Sequence, residues 1–73
     1  MKTIWHHHMD SSSFIFDAYG ETKEECMVAF AKGLRAHADK TGAAQSWVDE
    51  CVSECEPLRI TLGACYRDRE TRL

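Results

Sequence analysis

The sequence lacks the segments that would carry the chain into or across a membrane. No stretch approaches the roughly 18 consecutive apolar residues of a membrane span. Histidine and charged side chains fill the N-terminal region, where a secretory signal needs an apolar run. We therefore expect a cytoplasmic protein with no membrane partner. In a reducing cytosol its four cysteines are expected to carry free thiols.

The sequence also lacks the motifs of common catalytic and nucleotide-binding sites. Its four glycines are isolated, so they form no glycine-rich phosphate loop, and no paired-carboxylate pattern is present. A nucleophilic cysteine needs a lowered pKa. Cys26 is near a predicted helix start, but Glu24 and Glu25 flank it, and their charges raise the pKa of a thiol. We therefore predict a protein that is not an enzyme and needs no cofactor.

Basic residues are too few for a protein that binds nucleic acid without sequence preference. Nine Lys and Arg stand against 12 Asp and Glu, which gives a net charge of −3, whereas such binding needs many cations to neutralise phosphates. Arg67, Arg69 and Arg72 are interspersed with acidic residues. We predict that residues 67–73 are a flexible charged tail. A nucleic-acid contact through this tail is an alternative function.

The chain is long enough for one small domain. At 73 residues, about 60% of the unfolded chain's surface is buried on folding, which leaves little room for a deep pocket. Its residues are 44% hydrophobic and 29% charged, as in a folded soluble domain and unlike a disordered chain. We predict that residues 1–73 form a single domain that is monomeric when free.

Aromatic and β-branched residues predict two strands near the N-terminus. In the segment Phe14–Tyr19 the side chains of Phe14, Phe16 and Ala18 share one face. The segment Thr3–Met9 is predicted to pair with it as an antiparallel hairpin. We place Thr3–Met9 at an edge of the sheet, because its three histidines are poor core material.

A capping box predicts the start of a long helix. Thr22 can cap the first turn, and Glu25 can reach back to the backbone N–H of the cap. Apolar residues follow at helical spacing, and Gly42 is a natural left-handed stop. We therefore predict a helix from about residue 22 to 41, whose apolar stripe is Met27, Phe30, Ala31, Leu34 and Ala38.

The segment before Pro57 has two interpretations. Its apolar residues recur at helical spacing and favour a short second helix, but a strand with Val48 and Val52 on one face fits this short length as well. After Pro57, alternating apolar residues from Leu58 to Leu62 predict a strand. The predicted class is α+β, a small β-β-α-α-β domain whose antiparallel sheet is covered by the long helix.

Histidines and cysteines raise the alternative of a structural zinc module. His6 and His8 would share a face of a strand, and Cys51 and Cys55 would share a face of a helix, which together fit tetrahedral zinc. The C-x2-C knuckle of zinc fingers is absent, and the two pairs lie at opposite ends of the sequence. We predict no stoichiometric zinc and interpret the cysteines as small buried apolar residues.

Binding to another macromolecule is the function that we expect from the sequence. An edge strand offers unpaired backbone groups as well as side chains, and exposed tryptophan is the residue most enriched at interface hot spots. A run of three imidazoles contributes little to a core of this size. The predicted partner-binding residues are Trp5, His6, His7, His8, Trp47, Tyr66, Arg67 and Arg69.

Three segments share the general style of a known group of proteins: Tyr19–Cys26, the helix end Ala36–Gly42 and the tail Cys65–Glu70. They resemble small proteins of tailed bacteriophages. Compact non-enzymatic proteins of this group often bind and redirect a host machine, and bacterial RNA polymerase is a frequent target. The resemblance implies a phage-encoded transcription regulator or inhibitor that binds a larger host protein in the bacterial cytoplasm.

Overall fold

A computed structural model describes residues 2–54 and 56–73 of the chain. A three-stranded antiparallel sheet and two helices make up most of it, which confirms the predicted α+β class. The elements in chain order are β1 (Thr3–Asp10), β2 (Ile15–Gly20), α1 (Lys23–Thr41), α2 (Gln45–Glu54), β3 (Leu58–Thr61), β4 (Tyr66–Arg67) and β5 (Thr71–Arg72).

The strand order of the sheet is β2-β1-β3, so β1 is its central strand. β1 pairs antiparallel with β2 over six residue pairs and with β3 over four. The prediction that Thr3–Met9 lies at an edge of the sheet is therefore wrong. A central strand tolerates the three histidines because alternate side chains point to opposite faces, and only His7 points into the core.

Local capping sets the ends of α1. Thr22 accepts a hydrogen bond from the backbone N–H of Glu25 at 3.1 Å. The Glu25 side chain reaches back to the N–H of Glu21 at 3.4 Å, one residue earlier than a capping box requires. At the other end Gly42 adopts a left-handed conformation with φ 77°, and its N–H donates to the carbonyl of Ala38 at 2.8 Å.

The segment after α1 is helical. α2 begins at Gln45, and the N–H of Trp47 donates to the carbonyl of Ala44 at 3.0 Å. Val48 is fully buried against α1 and the sheet, so the strand interpretation of this segment is wrong. Among the described residues, neither helix has the length and apolar character needed to cross a membrane.

The core lies between the helices and one face of the sheet. His7 is only 3% exposed, and its ring meets Phe30 edge-on with 4.0 Å between the ring centroids. Burial lowers the pKa of His7, so the imidazole is neutral at neutral pH. The expectation that these imidazoles contribute little to the core is thus wrong for His7. The buried apolar cluster consists of Ala18, Cys26, Phe30, Leu34, Ala38 and Val48.

The C-terminal residues form a hairpin of β4 and β5 outside the main sheet. The chain turns at Gly63, where φ is 87°. The hydroxyl of Tyr66 then accepts a hydrogen bond from the N–H of Thr61 at 2.8 Å, which ties the hairpin to β3. Strand pairing within this hairpin is not a measurement of motion. The flexibility of residues 67–73 therefore stays a prediction.

Gly20 ends β2 where the strand meets the first turn of α1, and a side chain there would collide with the backbone. A Cβ atom on Gly20 would lie 2.9 Å from the Cα of Cys26. We expect Gly20→Ala to lower the free energy of unfolding by about 1 to 3 kcal/mol, the usual cost of overpacking, as measured by urea unfolding.

Gly33→Ala is the matched control for this substitution. Nothing lies within 4 Å of a Cβ atom on Gly33 in α1, and alanine favours a helix over glycine by up to about 1 kcal/mol. This variant should be as stable as the parent protein or more stable. Equal stability of Gly20→Ala and the parent would contradict the close approach of β2 to α1.

Candidate functional site

The side chains of β1 divide between the two faces of the sheet. Trp5 and Met9 pack with His7 against the core on the helix side, so His6 and His8 lie on the opposite face. Neighbouring side chains of a strand point to opposite faces. Trp5 and His7 therefore do not share a surface with His6 and His8. His7 does not reach the solvent, and Trp5 is half-buried as part of the core boundary.

We call the sheet face turned away from the helices the open face. The pairing registers place it across all three strands, since directly paired residues share a face. Tyr19, His6 and Leu58 are direct neighbours in one row across it. The residues of the open face are Ile4, His6, His8, Asp10, Ile15, Asp17, Tyr19, Leu58 and Ile60.

Two histidines and one carboxylate converge at the centre of the open face. One oxygen of Asp17, Oδ1, lies 2.7 Å from Nε2 of His6 and 2.8 Å from Nδ1 of His8. Asp17 pairs directly with His8 across β1 and β2, and His6 is two residues from His8 on β1. The hydrogen bond from His6, and with it the one from His8, lowers the pKa of Asp17.

His8 lies between two carboxylates. Its Nδ1 faces Asp17, and its Nε2 lies 3.0 Å from Oδ1 of Asp10. Both ring nitrogens can donate at once only in the protonated imidazole. The hydrogen bonds to Asp17 and Asp10 accordingly raise the pKa of His8. Arg69 adds a fourth charged group, since its Nη2 lies 3.2 Å from the other oxygen of Asp10.

The ring of His6 is held by stacking as well as by its hydrogen bond. It lies parallel to the ring of Tyr19, with centroids 4.6 Å apart and 4° between the planes. Its ring meets that of His8 edge-on at 6.2 Å. The orientation of His6 is therefore fixed from two sides, by an aromatic neighbour and by Asp17.

The tip of the β4–β5 hairpin adjoins this cluster and encloses a small pocket. The pocket has a volume of about 130 Å³, which is room for a few water molecules. The sheet contributes His6, His8 and Leu58 to its lining, and the hairpin contributes Asp68, Arg69 and Glu70. The cluster is thus open to small ligands on its hairpin side.

No known protein family, curated protein or solved structure matches this chain. The resemblance to phage proteins therefore stays a prediction.

The other predicted binding residues lie in separate places. Trp47 on α2 is half-buried and packs against the core near Phe16, with 6.4 Å between their ring centroids. Tyr66 is half-buried and its hydroxyl binds β3. Arg67 is exposed on β4, whereas Arg69 joins the pocket. Their roles in partner binding stay predictions.

The zinc ligand set considered from the sequence is not assembled. Cys51 packs against the core cluster on the helix side of the sheet, whereas His6 and His8 lie on the open face. Cys55 lies outside the described residues. Of the other cysteines, Cys26 is buried and Cys65 is exposed, and neither forms a disulfide in the structure; free thiols in the cell stay a prediction.

Sequence reasoning missed Asp17 and Asp10, although both contact His8. The signal that could have found them is the register of the β1–β2 hairpin. A turn at residues 11–14 that pairs Asp10 with Ile15 also places Asp17 opposite His8. Because residues on paired strands share a face, that register brings the carboxylates to the histidines.

The charged pairing of His8 predicts a pH-dependent stability. Because the pKa of His8 is raised above its ordinary value of 6.5 in the folded protein, folding favours the protonated form. This contribution is complete below pH 6.5 and is lost as the pH rises through the raised pKa. His8→Gln should therefore destabilise the protein by about 0.5 to 1 kcal/mol near pH 5.5, a typical value for an exposed ion pair, and by less near pH 8.5.

Urea unfolding of parent and variant at both pH values, with a chelator present, measures this difference. Comparing parent with variant cancels the opposite effect of His7, whose pKa is lowered by burial. His37→Gln, on α1 outside this network, is the control. An equal loss of stability at both pH values would show that His8 acts through packing and not through its charge.

Proposed function

We propose that this chain is a small non-enzymatic regulatory protein that binds another protein through the open face of its sheet. The observation that carries the proposal is the one-sided covering of the sheet. The helices bury one face, while Ile15, Tyr19 and Leu58 on the open face keep 66%, 57% and 41% of their surface exposed.

The exposed apolar side chains surround an ordered polar centre. Tyr19 and Leu58 flank His6 in one row across the three strands. The backbones of Tyr19 and Leu58 are therefore two strand spacings apart, about 10 Å. Exposed apolar groups in such an arrangement mark interaction surfaces. Tyrosine is among the residues most enriched at binding hot spots.

The charges favour a protein partner over nucleic acid. The net charge of the chain is −3, and Asp10 and Asp17 lie on the open face. Arg69, the cation in the pocket lining, is already paired with Asp10. A phosphate backbone would meet carboxylates here, whereas nucleic-acid binding gains affinity by placing cations against phosphates.

The identity of the partner in this proposal rests on the resemblance to phage proteins. The resemblance implies that the partner is a larger host protein in the bacterial cytoplasm, with RNA polymerase as the first candidate. We propose that the chain itself is monomeric when free. The runner-up function is nucleic-acid binding through Arg67, Arg69 and Arg72, which lie on the hairpin. Salt dependence separates the two, because duplex binding weakens steeply as salt rises.

Acidic substitutions on the open face test the proposal. We expect Ile15→Glu and Leu58→Glu each to weaken binding to the partner by at least about 30-fold, which corresponds to about 2 kcal/mol at a hot spot. Val28→Glu is the matched control, because Val28 is 67% exposed but lies on α1. Candidate partners are first captured from bacterial lysate with the parent protein, and the affinities of purified RNA polymerase and the captured proteins are then measured.

The same affinities of the parent and both open-face variants would overturn the proposal. A parent protein that sediments as a dimer, together with monomeric Ile15→Glu and Leu58→Glu, would instead show that the open face binds a second copy. Circular dichroism of each variant excludes misfolding as the cause of lost binding. Binding that is abolished by Arg67→Gln and Arg69→Gln, and that falls steeply with salt, would favour the nucleic-acid alternative.

A further inference from the structure

We propose that His6, His8 and Asp17 form a binding site for a divalent transition-metal ion of the zinc class. Each residue offers one ligand atom, and the three atoms all lie within 4.8 Å of one another. Two imidazole nitrogens and one carboxylate oxygen are a ligand set that zinc and neighbouring first-row ions bind in proteins. The proposal replaces the expectation of a zinc-free protein and does not depend on the proposed partner.

The three ligand atoms lie close enough together to accept an ion after side-chain rotations. Oδ1 of Asp17 lies 2.7 Å from Nε2 of His6 and 2.8 Å from Nδ1 of His8. Zinc bonds of about 2.0 to 2.1 Å in a tetrahedral site place ligand atoms about 3.3 to 3.4 Å apart. Each histidine nitrogen therefore has to move about 0.6 Å away from the carboxylate oxygen, and the two nitrogens, which lie within 4.8 Å of each other, have to reach the same spacing. Side-chain rotations provide both movements.

The backbone holds the three ligands in fixed relative positions. His6 and His8 are two residues apart on β1, so they project from the same face. Asp17 is the direct partner of His8 on β2. His6 is paired with both β2 and β3, and His8 and Asp17 are paired with each other across β1 and β2; ligands on paired strands are positioned more precisely than ligands on loops.

A second observation points to a metal ligand at Nδ1 of His8. The other ring nitrogen of His8, Nε2, lies 3.0 Å from Oδ1 of Asp10. Metal-bound histidines almost always donate their remaining N–H to a carboxylate or carbonyl, which fixes the tautomer and raises ligand basicity. Asp10 is itself held by Arg69 at 3.2 Å, so the outer contact is already in place.

The pocket beside the cluster supplies the remaining coordination position. It is lined by His6 and His8 and has a volume of about 130 Å³, enough for metal-bound water. Three protein ligands with one position open to water is the pattern of an accessible zinc site, as distinct from a closed structural site with four protein ligands. We therefore expect exchangeable binding and not a metal that the fold requires.

Metal titration of the full chain after chelator treatment tests the site. We expect calorimetry with zinc to show one ion per chain, and cobalt(II) to give visible d–d bands without the near-ultraviolet charge-transfer band of a thiolate ligand. Asp17→Asn and His6→Asn should each weaken binding by about 100-fold or more, since even loss of an outer contact costs about 10- to 100-fold. Asp10→Asn should weaken it by about 10- to 100-fold.

His37→Asn is the matched control, because His37 lies on α1 outside the cluster and the variant should keep the parent affinity. Histidine ring resonances give a readout that does not need a variant: zinc should shift those of His6 and His8 in the parent protein. Unchanged affinity in both Asp17→Asn and His6→Asn, a cobalt–thiolate band, or no shift of the two rings would each overturn the site. None of these measurements involves the partner protein, so failure here leaves the test of the open face intact.

Discussion

The hydrogen bonding of β1 on both sides is the constraint on which the rest of the structure depends. Successive side chains of a strand point to opposite faces, so the pairing of β1 with β2 and β3 divides its side chains between a helix-covered face and an open face. A shift of one residue in register would exchange the two sets and bring His6 and His8 into the core. The packing of Trp5, His7 and Met9 against the helices opposes that shift.

This arrangement places a polar ring in a small core, and the fold compensates for it only in part. His7 receives a hydrogen-bond partner in the backbone of Glu56, while among the described residues its Nε2 is buried with no partner. An unsatisfied buried polar atom costs about 1 to 3 kcal/mol. The edge-on contact with Phe30 offsets about 0.5 to 1.5 kcal/mol, as aromatic pairs do. The unpartnered Nε2 of His7 destabilises the core, while the packing of its ring against Phe30 favours the observed register of β1.

The features that the sequence predicts well are those set by neighbouring residues. Thr22 and Gly42 define the ends of α1 through contacts within a few positions, so capping rules suffice to find them. The place of β1 in the sheet depends on its pairing with β3, about 50 residues away, and strand patterns carry no information about such partners. Histidine content alone predicts an edge position for β1, because composition ignores the alternation of side chains.

The sequence likewise predicts the residues of the candidate site only in part. His6 and His8 are recognisable from their spacing, but their neighbours come from the register of the β1–β2 hairpin, which brings in Asp17 and Asp10 instead of the distant cysteines. The fold then gives this cluster two properties. Paired strands position the polar groups, His6 and His8 on β1 and Asp17 on β2, and the helices of the described residues cover only the opposite face. The accessible surface exists because the two helices pack on one face of the sheet and the β4–β5 hairpin meets the other face only beside His6, His8 and Leu58.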